Sequence, residues 1–237
     1  ARQGTVATLG DTVYETGTPA EFARCYAPAW GPFKDRTRPA PGNHDYATPH
    51  GAGYHAYFGA AAGTPGRGWY SYELGGWHVA VLNSNCGAVG CGAGSAQERW
   101  LRADLAAHPV RCTLAYWHHP RFSSGLHGSD VDVAPLYQAL YDAGADVILA
   151  GHDHDYERFT PLDPKGVVDG ARGIRTFVVG TGGRSHYPFP GALPGSEVRR
   201  GDTFGVLVLT LEASSYRWEF VPASGRDGAD AGTGVCH

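Results

Sequence analysis

Four residues in a row, His152, Asp153, His154 and Asp155, follow the apolar run "DVILAG". Imidazoles and carboxylates at the tip of a buried strand need solvent, hydrogen-bonding partners or a metal ion. Similar tips recur along the chain. "LGDTVY" offers Asp11 and Tyr14, "YWHHP" offers His118 and His119, and the turn "PGNHD" adds Asn43 and His44. A lone histidine at a strand tip is usually solvated or hydrogen-bonded, but four such sites in one chain shift the balance. Carboxylate, imidazole, phenolate and amide oxygen together suit a divalent or trivalent metal.

Elements that could position these groups can be read from the pattern around them. "TVATLGD" is a short apolar strand broken by Gly10, and Pro19 opens a short helix in "PAEFARCYAPAW". Pro39, Pro41 and Gly42 put Asn43 and His44 on a turn. "GWYSYELGGWHVAVLNSN" reads as two strands around Gly75-Gly76. In "SAQERWLRADLAAH" Ser95 and Glu98 form a capping box, and Trp100, Leu101 and Leu105 form an apolar stripe. "CTLAYWHHP" is a buried strand halted by Pro120, "VAPLYQALYDAGA" a second helix, and "DVILAGHDH" a second such strand. "GIRTFVVGTGG", "FGVLVLTLEA" and "SYRWEFVPA" follow as strands, the last two as a hairpin, and the Gly-rich tail Ser224–Gly234 as loop. Strands alternate with helices early and cluster late, which predicts an α/β sandwich of two sheets flanked by helices. Ligands in such sheets bind beyond the carboxyl ends of the strands, where the polar tips lie.

The 237 residues contain no linker and are expected to form a single domain. A net charge of −4 with no basic run argues against a nucleic-acid partner, and no apolar stretch is long enough for a membrane span. The chain has no Met, even at position 1, so a processed product or a fragment is expected. "NCGAVGCGAG" can bend Cys86 onto Cys91, which suggests a disulfide and a secreted or extracytoplasmic setting. Zinc binding by this pair is the weaker rival, since no second cysteine pair is nearby. Cys112 is expected to pair with Cys236, leaving Cys25 as the odd cysteine.

The order GD-x-x-Y, GNHD, His-x-Pro after a strand, then GH-x-H followed by "DYERF" resembles the calcineurin-like metallophosphoesterases. Tyr14 and the "YER" at Tyr156–Arg158 resemble the purple acid phosphatase branch in particular. The resemblance spans roughly residues 5–185 and implies a four-layer αββα sandwich with a dinuclear centre, Fe(III) beside a divalent Fe, Zn or Mn. It implies that Asp11 bridges the metals, that Tyr14 and His154 bind the Fe(III), and that Asn43, His118 and His152 bind the divalent ion. His118 is chosen over His119 because the family's ligand lies two residues before the proline. His44 resembles the residue that binds the phosphate, and His127 falls near a histidine that assists the leaving group in plant members.

Chemically, two metals about 3.5–4 Å apart clamp an in-line displacement at phosphorus, with a deprotonated water as nucleophile. A phosphorylated small molecule is the expected substrate, as a monoester, with a diester or mere binding as alternatives. Asp153 and Asp155 are expected behind the ligands or in the loop, Glu157 and Arg158 to pair, and the Gly-rich "VVGTGGRSHYPF" to bring backbone near the metals without His186 touching substrate. Family members also carry an earlier strand ending in an Asp. Only ten residues precede Asp11, and they contain no Asp, Glu or His. The expectation is therefore a chain lacking its first strand and one carboxylate ligand, with weak binding of the Tyr14/His154 metal.

Overall fold

The computed structural model describes residues 3–223 and 230–237. Its strands are β1 (Val6–Leu9), β2 (Thr37–Ala40), β3 (Tyr70–Leu74), β4 (Trp77–Val81), β5 (Cys112–Tyr116), β6 (Val147–Ala150), β7 (Tyr156–Phe159), β8 (Arg175–Val179), β9 (Ser196–Arg200), β10 (Gly205–Leu211), β11 (Ser215–Pro222) and β12 (Ala231–Val235). A seven-stranded mixed sheet has the order β3-β4-β5-β6-β8-β7-β9. At its centre β4, β5, β6 and β8 run parallel. Every residue of β4, β5 and β6 is buried. Both faces of these strands are covered, which is why they read as apolar runs, interrupted only by buried His78 and Thr113, instead of alternating ones.

On one face, Ala115 and Ile148 meet Leu101 and Leu105 of helix Ala96–Ala107 and Leu136 and Leu140 of helix Ala134–Asp142. On the other, Leu114, Tyr116, Leu149 and Phe177 meet Trp218 and Phe220 of the antiparallel sheet β10-β11-β12. Successive residues of β5 thus serve different cores, the period of two that a pleated strand imposes. The result is the expected α/β sandwich. Strands β1 and β2 pair in parallel, and Leu9 and Ala40 join the core between the sheets. A third cluster, with Phe22, Tyr26, Tyr54 and Phe58, joins the helical run from Pro19 to the helix Ala52–Phe58.

Both expected disulfides are present, Cys86–Cys91 with Cα atoms 5.0 Å apart and Cys112–Cys236 at 5.4 Å. Zinc binding by Cys86 and Cys91 is therefore set aside, and Cys25 is free and exposed. Ser95 caps its helix through the Glu98 N–H at 3.2 Å, but the Glu98 carboxylate accepts from the Gly94 N–H at 3.0 Å instead of from Ser95.

The tail needs correction. Positions 224–229 lie outside the described residues, yet Ala231–Val235 is a strand and not loop. A Cβ on Gly232 or Gly234 would lie 2.3 Å from the Trp218 ring or 2.2 Å from the Tyr216 ring. Glycine lets this edge strand lie against those aromatic faces, and the same composition hides it in the sequence.

Candidate metal centre

The centre begins where β1 ends. Gly10 has φ +87°, and a Cβ there would sit 2.5 Å from Nδ1 of His118. Gly42 leaves room for Asp11, whose Oδ1 would be 2.2 Å from a Cβ at that position. Asp11 itself is held at φ 49°, an uncommon conformation for a residue with a side chain. Buried Asp45 ties the two loops together. It accepts from the Thr12 hydroxyl at 2.5 Å, the Thr12 N–H at 3.2 Å and the Gly42 N–H at 2.9 Å. Burial pushes its carboxyl up to about 6 in spite of these donors.

All six expected donors meet. Asn43 Oδ1 is 3.0 Å from His118 Nε2, which is 3.1 Å from His152 Nδ1. The same His118 nitrogen is 3.2 Å from Asp11 Oδ2. Asp11 Oδ2 in turn lies 3.3 Å from the Tyr14 hydroxyl, and that hydroxyl 3.4 Å from His154 Nε2. One carboxylate oxygen thus stands between two groups of donors.

Second partners orient the rings. His118 Nδ1 lies 2.7 Å from the Leu9 carbonyl, which turns the lone pair on Nε2 toward the centre. His154 Nδ1 is 2.7 Å from the Ser185 hydroxyl.

This donor set fits a cation. With Nδ1–H donated to Leu9, His118 Nε2 faces the Asn43 amide oxygen, the Asp11 carboxylate and a second imidazole nitrogen. One proton can satisfy only one of those contacts, whereas a metal ion satisfies all four groups. The electrostatics agree. Burial raises the Asp11 carboxyl, but His118 and the His44 N–H outweigh it and hold it well below the usual range. Burial lowers His118, and the charge of Asp11 reverses that and raises it. Burial and the neighbouring His118 depress His152 to about 2, so its ring is neutral and free to donate a lone pair.

Around the donors, His44 gives its N–H to Asp11 Oδ1 at 2.9 Å, and its Nδ1 lies 2.6 Å from the Glu15 carbonyl. The His127 ring is 4.3 Å from that of His152, and its backbone N–H donates to Asp153 Oδ1 at 2.7 Å. Asp153 therefore holds the His127 loop through the His127 N–H and accepts from Ser123, and not from the His118, His152 or His154 rings. Buried Asp155 stands apart from this donor set, with burial and Asp153 raising it to about 8. His119 lines the cleft beside His152, with Nδ1 2.8 Å from the Ser84 hydroxyl. One nitrogen from each of His118, His119 and His152 falls within a 4.8 Å cluster. Burial and His118 depress His119 to about 3.

Glu157 and Arg158 do not pair, contrary to expectation. Adjacent residues of a strand point to opposite faces. Glu157 accepts from the Ser124 N–H at 2.7 Å, while Arg158 pairs with Asp230 at 2.7 Å. Sequence reasoning missed Ser185, and also Tyr187, whose ring stacks on His154 at 4.2 Å. Both flank His186 in the Gly-rich stretch after β8, so the signal was the position of that stretch and not its histidine. His186 itself packs on Phe204.

Residues 3–156 match the calcineurin-like phosphoesterase family, and the chain belongs to it. It is 30% identical to purple acid phosphatase 15 of Arabidopsis thaliana over 143 residues, 53% of this chain and 25% of that protein. It is 28% identical to acid phosphatase type 7 of Danio rerio over 158 residues, 55% of this chain and 35% of that one. The chain thus spans a quarter to about a third of these relatives. Among solved structures, yellow lupin purple acid phosphatase PPD1 shares the fold with a TM-score of 0.78 and 20% identity, over 97% of this chain and 46% of that one. GAP50 of Plasmodium shares it at 0.71 and 13%, over 99% and 78%.

Proposed function

We propose that this chain hydrolyses phosphate monoesters of small molecules at a dinuclear metal centre. The observation that carries this reading is the unbroken run of donors from Asn43 through His118 and Asp11 to Tyr14 and His154, each step between 3.0 and 3.4 Å. Asp11, Tyr14 and His154 would hold an Fe(III), and Asn43, His118, His152 and the shared Asp11 a divalent Fe, Zn or Mn. Such metals supply Lewis-acid polarisation of phosphoryl oxygens and a strong nucleophile from water.

The chain's own residues do the rest. His44, its Nδ1 engaged by Glu15, has Nε2 left to neutralise charge on the phosphoryl oxygens. His127 is a proton donor to the leaving alkoxide, next to His152 and 5.2 Å from the Tyr187 ring. An open cavity of about 690 Å³, lined by Asn43, Ser84, His119 and the short helix Cys86–Val89, would take the remainder of the substrate. Residues 1–237 are read as one catalytic domain, because Cys112–Cys236 and the Trp77 bond to the Glu212 carbonyl tie the small sheet to the large one. The two disulfides support a secreted or extracytoplasmic location.

The test compares p-nitrophenyl phosphate with its bis ester, each with and without chelator. Faster hydrolysis of the monoester, abolished by chelation, is expected. A faster bis ester would make the protein a phosphodiesterase, and metal binding without turnover would make it a binding member. Chelator-insensitive hydrolysis would remove the metals from the reaction.

A further inference from the structure

We propose a second metal site, structural in role and suited to zinc, formed by His78, Asp104 and His108 with Glu73 behind it. It lies at the start of β4, whereas the centre described above borders Ser84 and His119 beyond that strand's other end. Local structure brings the four residues together. Glu73 of β3 is directly opposite His78 in the antiparallel register. Asp104 and His108 are four residues apart at the end of helix Ala96–Ala107, a spacing that puts both on one face.

Buried His78 has a carboxylate at each nitrogen, Glu73 Oε1 at 2.7 Å from Nδ1 and Asp104 Oδ2 at 2.8 Å from Nε2. Asp104 Oδ1 accepts from the Ser71 hydroxyl at 2.9 Å and lies 3.5 Å from His108 Nδ1. One donor atom from each of His78, Asp104 and His108 falls within 4.8 Å of the others.

Two carboxylates flank one buried imidazole, and their negative charge favours a cation at this end of the helix. Both inner ligands also have the backing that metal ligands use. Glu73 can take the Nδ1–H of His78 and fix its tautomer, and Ser71 holds the Asp104 carboxylate. Two imidazoles and one carboxylate are a zinc donor set, with water completing the coordination. Zinc bonds of about 2.0–2.2 Å put tetrahedral donors roughly 3.4 Å apart, so the His78–Asp104 pair, now at 2.8 Å, must open while His108, within 4.8 Å, draws in. The His108 ring, stacked on His78 at 4.5 Å with its Nδ1 2.8 Å from the Asp104 carbonyl, must leave that carbonyl and turn to present a nitrogen to the site. Bound there, zinc would clamp the end of the helix to the β3–β4 hairpin.

The chain, stripped with chelator, is saturated with zinc and desalted, and its zinc is measured per mole of protein. His108→Ala, which removes a partly exposed ring and its contacts with His78 and the Asp104 carbonyl, is expected to hold one equivalent fewer than wild type and to lose part of the zinc-dependent rise in Tm. It should keep its phosphoester hydrolysis, because it touches none of the donors around Asp11. His152→Ala is expected to retain the His108-dependent equivalent. Equal zinc content in wild type and a folded His108→Ala would overturn the proposal, as would loss of that equivalent in His152→Ala.

Discussion

Gly10→Ala perturbs the centre through steric contact alone, and its cost can be worked from the structure. The new Cβ would lie 2.5 Å from His118 Nδ1, 2.6 Å from its Cγ and 2.8 Å from the Gly42 Cα, where ordinary contact begins at 3.4 Å. His118 must retreat by close to an ångström, which breaks its 2.7 Å contact with the Leu9 carbonyl and draws Nε2 away from Asn43 and Asp11. A misplacement of about 1 Å near the reacting groups costs on the order of 10²-fold in rate. Holding an L side chain at positive φ costs roughly 1–2 kcal/mol. At roughly 2–4 °C per kcal/mol for a chain of this size, Tm falls by roughly 2–8 °C from that cause alone. The assay is kcat/KM for p-nitrophenyl phosphate at saturating metal, with metal affinity and thermal melting in parallel. Gly92→Ala is the control, since its Cβ meets nothing within 4 Å. A Gly10→Ala enzyme with wild-type kcat/KM and metal affinity would refute the idea that close approach of this backbone sets the position of His118.

Other substitutions separate the remaining roles. His44→Ala should lower kcat by about 10²–10³ while leaving metal content intact, because its side chain is assigned to charge and not to ligation; equal loss of metal and turnover would make it a ligand. His127→Ala should slow alkyl phosphates far more than p-nitrophenyl phosphate, whose leaving group needs no proton; equal slowing would remove it as the acid. Asp230 accepts from Tyr156, Arg158 and Trp218. Burial raises its carboxyl, but Arg158 and Tyr156 outweigh this and hold it below the usual value. Its contribution is therefore complete above the unfolded value of about 3.9 and lost as pH falls through the folded one. Asp230→Ala should cost about 3 kcal/mol at neutral pH, with a smaller difference in acid, as read from urea unfolding; a pH-independent difference would contradict the assignment.

Much of the candidate centre was legible because Asp11, His118, His152 and His154 each stood where an apolar run broke, and Asn43 on a Pro/Gly turn. β5 and β6 were equally clear, being buried on both faces. What stayed hidden was structure whose local signal pointed elsewhere. β2 contains Pro39, which demotes a strand in sequence, yet it pairs in parallel with β1 in a two-stranded sheet of their own. β9, "SEVRR", alternates without an apolar face, and β12 is glycine where its neighbours are aromatic. Glu157 and Arg158 looked like a pair because sequence gives adjacency but not facing; only the strand assignment of Tyr156–Phe159 separates them. Tyr187 and Ser185 reach His154 through a turn that no spacing rule describes.

The central claim is that the donors around Asp11 hold metal for phosphoester hydrolysis. Its most direct test is elemental analysis of the metal-saturated, desalted chain beside His152→Ala, with the visible spectrum and chelator-sensitive hydrolysis recorded on the same samples. Under the proposal, His118 and the donors 3.0–3.2 Å from its Nε2, those of Asn43, His152 and Asp11, would serve one ion, and Asp11, Tyr14 and His154 would serve the other. We therefore predict a tightly held divalent ion that falls by about one equivalent in His152→Ala together with activity, and a weakly held second ion with a faint tyrosinate band. Metal content and hydrolysis unchanged by His152→Ala would contradict the claim.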